Sequence, residues 1–139
     1  MLDAGCGSGT ITVGLAEHVG AVVGVDQKDH FAPAVEYAIS SNIANVRFQA
    51  ADLYALEFPD AHFDACLCHS ALETLKRPAE ALLELRRVMK PGAVLGVASV
   101  EYGGIILAGD DVEPLRRFYQ IREQLWQLDG VANPYFGRE

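Results

Sequence analysis

Positive charge is scarce in this chain. Eleven lysines and arginines stand against nineteen aspartates and glutamates, a net charge of −8 over 139 residues. Affinity for nucleic acid rests mainly on neutralised phosphates, so no nucleic-acid partner is expected. Two basic clusters, Arg86, Arg87 and Lys90, and Arg116 with Arg117, alternate with apolar residues as solvated helix faces do. Cysteine is sparse too. Cys6, Cys66 and Cys68 are odd in number, and the last two would sit on one strand face, too far apart for easy bridging. A disulfide framework is therefore not expected, no Cys/His spacing suggests zinc, and a reducing cytoplasm is the expected location. No apolar run approaches the roughly 20 residues of a membrane span. The N-terminus lacks the basic region of a secretory signal.

What is present is core-forming material. Half the residues are hydrophobic and 22% are charged, which excludes disorder, collagen-like repeats and coiled coil. The length suits one domain, which can bury about two-thirds of its unfolded surface.

Short apolar, β-branched runs occur at Ala21–Val25, Phe63–Cys68 and Ala93–Val100. They suit strands buried on both faces, as in a parallel sheet covered by helices. Val46–Ala50 predicts a further strand, and Leu53–His62, with its Pro59-Asp60, a loop. Helices are predicted over Thr10–His18, Pro33–Ser41, Pro78–Met89 (ended by Pro91-Gly92) and Val112–Leu128. The last carries a wide stripe of Leu115, Phe118, Tyr119, Ile121, Leu125 and Trp126. The alternation predicts a doubly wound, Rossmann-like α/β domain.

Only Met1 and Leu2 precede Asp3, where a strand should be finishing, although strands usually need about five residues. At the other end, Asn133-Pro134-Tyr135-Phe136-Gly137 is turn-rich. Both ends read as cuts through a larger domain, with residues 1–139 a fragment of one domain.

The strongest local signal is Asp3-Ala4-Gly5-Cys6-Gly7-Ser8-Gly9-Thr10. Glycines let the backbone turn tightly and approach a ligand, and the helix that follows would turn its free N–H groups toward it. A dinucleotide fingerprint would be G-x-G-x-x-G, but the third glycine would then fall at Thr10. The G-x-G-x-G spacing suits a nucleoside without phosphates better than a pyrophosphate. Asp26 ends the next strand, where a carboxylate can accept from both hydroxyls of a ribose or merely cap the strand end in solvent; its place 21 residues after Gly5 favours the first. Asp52 ends the third strand, where an acceptor could take an amino proton from adenine or where the carboxylate could equally cap the loop that follows.

On these residues the chain resembles the class I S-adenosylmethionine-dependent methyltransferases, especially the ubiquinone/menaquinone-biosynthesis C-methyltransferase branch. Leu2–Gly9 resembles their first motif, Asp26 the acidic end of their second strand, and Ala51-Asp52-Leu53 their adenine-contacting segment. Phe58–Asp64 is similar to their stretch before the fourth strand, and Leu83–Gly92 to the helix-and-turn signature before the fifth. The resemblance implies a sheet in the order 3-2-1-4-5, with the family's last two strands missing, and S-adenosyl-L-methionine as cofactor. It places Asp3, Gly5 and Gly7 along the methionine moiety, with Cys6 among them as a small packing residue. Asp26 would take the ribose hydroxyls, with Gln27 beside the adenine. Asp52 would accept from the adenine amino group, next to Ala51, and the Leu53 N–H would face a ring nitrogen. His69 and Ser70 would lie near the methyl group and a small-molecule acceptor.

Histidine is suited to taking a proton near neutral pH, so His69 is a candidate base, with packing in the cofactor shell or no role as its alternatives. Glu73, read as a helix-surface carboxylate, and Glu101 and Tyr102 rank behind it. The family's usual histidine near the position of Glu73 is displaced here to His69, and Gly92-Ala93 replaces a usual Gly-Gly. A non-catalytic nucleoside-binding remnant and an NAD-type dinucleotide domain are the alternative functions. Self-association through an exposed sheet edge or the C-terminal helix is a further expectation.

Overall fold

A computed structural model describes residues 1–100 and 109–126. Among the described residues five parallel strands form one sheet: β1 (Leu2–Ala4), β2 (Val22–Asp26), β3 (Val46–Ala50), β4 (Phe63–His69) and β5 (Met89–Ala98), in the order β3-β2-β1-β4-β5. The helices are α1 (Thr10–Leu15), α2 (Ala32–Ser40), α3 (Pro78–Val88) and α4 (Val112–Trp126), with a short 3₁₀ turn at Leu72–Thr74. This is the expected Rossmann-like order. The connections through α1 and α2 step outward in one direction and the connection through α3 in the other. Right-handed crossovers therefore put α1 and α2 on one face and α3 on the opposite one.

Strand periodicity does the sorting. Side chains alternate along β1. Leu2 and Ala4, both fully buried, join Leu56, Phe63, Cys66, Cys68, Leu72, Ala81, Leu85 and Val88 in a core with α3. Truncating a residue such as Leu85 to alanine would cost about 2–5 kcal/mol. Asp3, between Leu2 and Ala4, points the other way and meets Thr12 of α1. β1 is short, as its sequence implies, yet it pairs on both sides. Leu2, Asp3 and Ala4 lie opposite Val23, Gly24 and Val25, while Leu2 and Asp3 lie opposite Cys66 and Leu67.

Several boundaries differ from expectation for identifiable reasons. α1 stops at Leu15 rather than His18. The Asn45 side-chain amide takes the carbonyls of Ala16 and Val19 at 2.8 and 2.9 Å, so the chain turns there instead of continuing the helix. α3 stops at Val88, because the N–H groups of Ala61 and His62 take the Arg87 and Val88 carbonyls at 2.9 and 2.8 Å. β5 then begins at Met89, earlier than predicted. Met89 lies opposite Phe63, but Val94 lies opposite Ala65, so the chain bulges through Lys90-Pro91-Gly92-Ala93.

The expectation that Ala93–Val100 is buried on both faces fails. β5 is an edge strand of the described sheet, with Val94 70% and Val97 48% exposed. On α4 the expected stripe is only partly covered: Leu115 and Tyr119 are half-buried, while Phe118 and Ile121 are exposed. The side chains of Leu125 and Trp126, and residues 127–128 and 133–137, lie outside the described residues. Among the described residues no helix is long and apolar enough to cross a membrane.

Candidate functional site

The strand order reverses direction between β1 and β4, and ligands of open α/β sheets bind outside the carboxyl ends of the strands at such a point. The loop from Gly5 to Gly9 crosses that point. Its first turn is fixed by β2: the Val25 carbonyl accepts from both Gly5 N–H (2.8 Å) and Cys6 N–H (3.0 Å). Gly5, Gly7 and Gly9 have φ of 78°, 55° and 85°. Every second residue is thus left-handed, which accounts physically for the G-x-G-x-G spacing, since a side chain is strained there. At Gly5 a Cβ would also collide with the Ala71 side chain. At Gly7 a Cβ would meet nothing within 4 Å, so the backbone there borders open space.

Asp26 closes this loop from the next strand. Its Oδ2 accepts the Gly7 N–H at 2.9 Å and its Oδ1 the Lys28 N–H at 3.4 Å. Gly5, Asp26, Gln27, Leu53, Ala71, Thr74 and Leu75 line a cleft of about 140 Å³. A second, more open cleft of about 510 Å³ is lined by Gln27, Gln49, Ala50, Ala51, Asp52, Ala55 and Glu57. Gln27 borders both. The ends of β2 and β3 are in register, with Ala50 opposite Asp26 and the Ala51 N–H on the Asp26 carbonyl at 2.8 Å. Asp26 and Asp52 therefore stand on one rim. Asp52 is exposed, and its Oδ1 accepts the Tyr54 N–H at 2.9 Å, making a tight turn that also has the Ala55 N–H on the Asp52 carbonyl at 3.0 Å. Leu53, buried, contributes an apolar side chain to the first cleft, which Asp26 also lines.

The other anticipated residues are placed differently. Asp3 is 2% exposed, and its Oδ2 accepts the Thr12 hydroxyl at 2.6 Å beneath the loop. Burial raises its carboxyl above the ordinary range, opposed by the Thr12 hydrogen bond and by the charge of His69. Cys6 is half-buried, and burial, with Asp3 nearby, pushes its thiol up to about 12. It has none of the electropositive surroundings of a reactive cysteine. His69 ends β4 exposed, and Ser70 follows at φ 52° with its N–H on the Ala98 carbonyl at 2.7 Å. Neither lines the two clefts.

Glu73 corrects the sequence reading. It is 1% exposed rather than on a helix surface, and its Oε1 accepts the Val100 N–H at 3.2 Å. Its Oε2 has no hydrogen-bond partner among the described residues. Glu101 and Tyr102 lie outside the described residues. Ala71, Thr74 and Leu75 wall the first cleft without having been anticipated. Their signal was indirect: a polar, irregular stretch directly after a buried strand in an α/β chain. Arg87 also departs from the solvated-face reading, because its guanidinium is spent on the loop after β3.

Comparison with known proteins gives these features a context. Residues 2–97 match a family described as a methyltransferase domain. An uncharacterized methyltransferase of Schizosaccharomyces pombe is 41% identical over 101 residues, covering 66% of this chain and 36% of its own length. Among solved structures, a SAM-dependent methyltransferase from Methanosarcina mazei is 32% identical, with a TM-score of 0.60, covering 69% of this chain and 50% of that one. The YcgJ protein of Bacillus subtilis is 26% identical with a TM-score of 0.73, covering 99% and 56%. The chain spans between about a third and two fifths of the length of the curated relatives it matches first (36%, 34% and 38%).

S-adenosylmethionine is a nucleoside without phosphates. The residues present fit it: the Gly7 backbone borders open space that a side chain would enter, and acidic groups sit on the rim beside an apolar floor. With the family match, the sheet order and this cleft in agreement, the chain belongs to the methyltransferase domain family, whose cofactor is S-adenosylmethionine.

Proposed function

We propose that the protein transfers a methyl group from S-adenosylmethionine to a small-molecule acceptor. The observation that carries this reading is the convergence of Gly5, Asp26, Gln27 and Leu53 on one cleft, with Asp52 in a second cleft that Gln27 also borders. In this reading Asp26 accepts from the ribose hydroxyls, which are matched to its two oxygens. Gln27 and Leu53 flank the adenine, Asp52 accepts from its amino group, and the Leu53 N–H faces a ring nitrogen. Gly5 and Gly7 approach the methionine moiety through their backbone, and Asp3 supports the loop from below through Thr12. His69, the last residue of β4, and Ser70, just past it, stand on the acceptor side.

When bound, the cofactor supplies an electrophilic methyl on a sulfonium whose leaving group is a neutral thioether. The protein's task is then positioning and water exclusion rather than strong acid–base chemistry. A base is needed only for an acceptor that must lose a proton near the transition state, and His69 is the exposed candidate for it.

The ubiquinone/menaquinone-like branch is the proposed placement within the family, supported by the Phe58–Asp64 and Leu83–Gly92 stretches. The relatives' greater length is in keeping with residues 1–139 as a fragment of one cofactor-binding domain. The three free cysteines favour the cytoplasm. The exposed edge of β5 is the proposed surface for self-association.

The test is parallel calorimetric titration of the intact protein with S-adenosylhomocysteine and NADH, followed by methyl-label transfer to a small-molecule extract. Binding of S-adenosylhomocysteine alone, with label transfer, is expected. Binding of NADH alone would eliminate the reading. Binding of S-adenosylhomocysteine without transfer would leave a nucleoside-binding module in its place.

A further inference from the structure

The rim residue Asp52 begins a stretch with no helix or strand that runs to Phe63. Such a segment has a large conformational freedom to lose before it can hold a side chain in one place. Here the freedom is removed from α3, on the far side of the loop. The Leu56 N–H donates to Glu84 Oε1 at 2.7 Å, and the Leu56 carbonyl accepts from Arg87 Nη2 at 2.8 Å. Arg87 Nη1 reaches the Phe58 carbonyl at 2.9 Å and Asp60 Oδ1 at 2.6 Å. Nε and Nη2 return to the two Glu84 oxygens at 2.9 and 2.7 Å. The Leu56 side chain is itself buried. At the start of α3, Arg77 completes the grip: its N–H donates to the Tyr54 hydroxyl at 3.1 Å and its guanidinium lies 4.5 Å from the centre of the Tyr54 ring.

The pinned residues, Tyr54 and Leu56, lie two and four positions after Asp52. The intervening Ala55 lines the same cleft as Asp52 and is hydrogen-bonded to it. A planar fork of donors is needed to hold two carbonyls and two carboxylates at once, and a lysine ammonium cannot reproduce that geometry. We infer that the Glu84–Arg87 pair is a positioning device for base selection: it fixes the Asp52–Leu56 turn so that the Asp52 carboxylate discriminates adenine from a 6-oxopurine. This rests on the assignment of Asp52 to the adenine amino group. A carboxylate suits the 6-amino group, a donor, and repels the 6-oxo group, an acceptor. Neither Glu84 nor Arg87 touches the ligand in this account.

The probes are S-adenosylhomocysteine and S-inosylhomocysteine, titrated into the intact protein. The wild type is expected to favour the adenine compound by about tenfold or more, the worth of one hydrogen bond to a charged group. Asp52→Asn keeps the turn, because its Oδ1 still accepts from Tyr54, but presents a donor to the base; the preference should vanish or invert. Arg87→Lys and Glu84→Gln should each lower the preference at least threefold while leaving affinity for the inosine compound within twofold. Loss of stability alone would weaken both ligands equally and leave the ratio unchanged. Glu84→Gln retains an acceptor for the Leu56 N–H and serves as the folded variant should Arg87→Lys not fold. If Asp52→Asn leaves the ratio intact, the adenine assignment fails and the inference falls with it. If Asp52→Asn abolishes the preference while a folded clip variant keeps it, only the inference is overturned.

Discussion

The backbone N–H of Gly7 lies 2.9 Å from Oδ2 of Asp26, joining the middle of the glycine loop to the end of β2. One carboxylate thus orders the loop and, in the proposed function, faces the ribose. Replacing Asp26 with alanine removes both services. Affinity for S-adenosylhomocysteine should fall by about 1–3 kcal/mol, the range for charge-assisted hydrogen bonds. Calorimetry measures it, and an unchanged affinity would take Asp26 out of the site.

Gly7→Val tests the loop itself. The backbone at φ 55° is strained for valine, and the new side chain would enter the open space beside the loop. Binding of S-adenosylhomocysteine should be abolished while the far-ultraviolet circular dichroism keeps its helical signal. A normal titration in this variant would remove the loop from the binding site.

Thr12→Val separates support of the loop from contact with the ligand. The Thr12 hydroxyl is bonded to the buried Asp3 carboxylate, so its loss should destabilise the fold by about 1–3 kcal/mol. The effect has a sign with pH. Burial raises the Asp3 carboxyl above its ordinary 3.8, so the contribution of Asp3 to stability is greatest below that value and declines as pH rises through the raised one. Thr12 stabilises the ionised form, so the variant should lose more at pH 7 than at pH 3.5. Thermal melts at the two pH values decide it, and an equal loss at both would mean that Asp3 and Thr12 are not coupled.

Cys6 lies in the loop without the character of a nucleophile. With its thiol pushed up to about 12, almost no thiolate exists at pH 8. Iodoacetamide should modify Cys6 more slowly than free cysteine, and Cys6→Ser should bind S-adenosylhomocysteine as the wild type does. Rapid modification at pH 8 would contradict the burial argument.

Much of this architecture is legible from residue patterns. Apolar β-branched runs mark β2, β4 and β5, and the glycine spacing with Asp26 marks the switch point. What escaped has a common cause: contacts distant in sequence and specific in geometry. Val94 and Val97 are as apolar as buried strand residues, and only their place at the sheet edge exposes them. Arg87 sits in a charged helical pattern like that of a solvated face, yet its partners Leu56, Phe58 and Asp60 belong to another loop. Glu73 follows a buried strand in a short 3₁₀ turn, whose spacing gives no amphipathic signal to reveal that it faces inward. The place of Asp3 before the glycines marks it in the sequence, but nothing there marks its partner Thr12, because the pairing depends on which face of β1 meets α1.

The most direct measurement is a crystal structure of the intact protein with S-adenosylhomocysteine. The account predicts ribose hydroxyls within hydrogen-bond distance of Asp26, adenine between Gln27 and Leu53, and its amino group at Asp52. A nucleoside seated instead in the groove of Thr10, Val13, Pro33 and Tyr37, between α1 and α2, would contradict it.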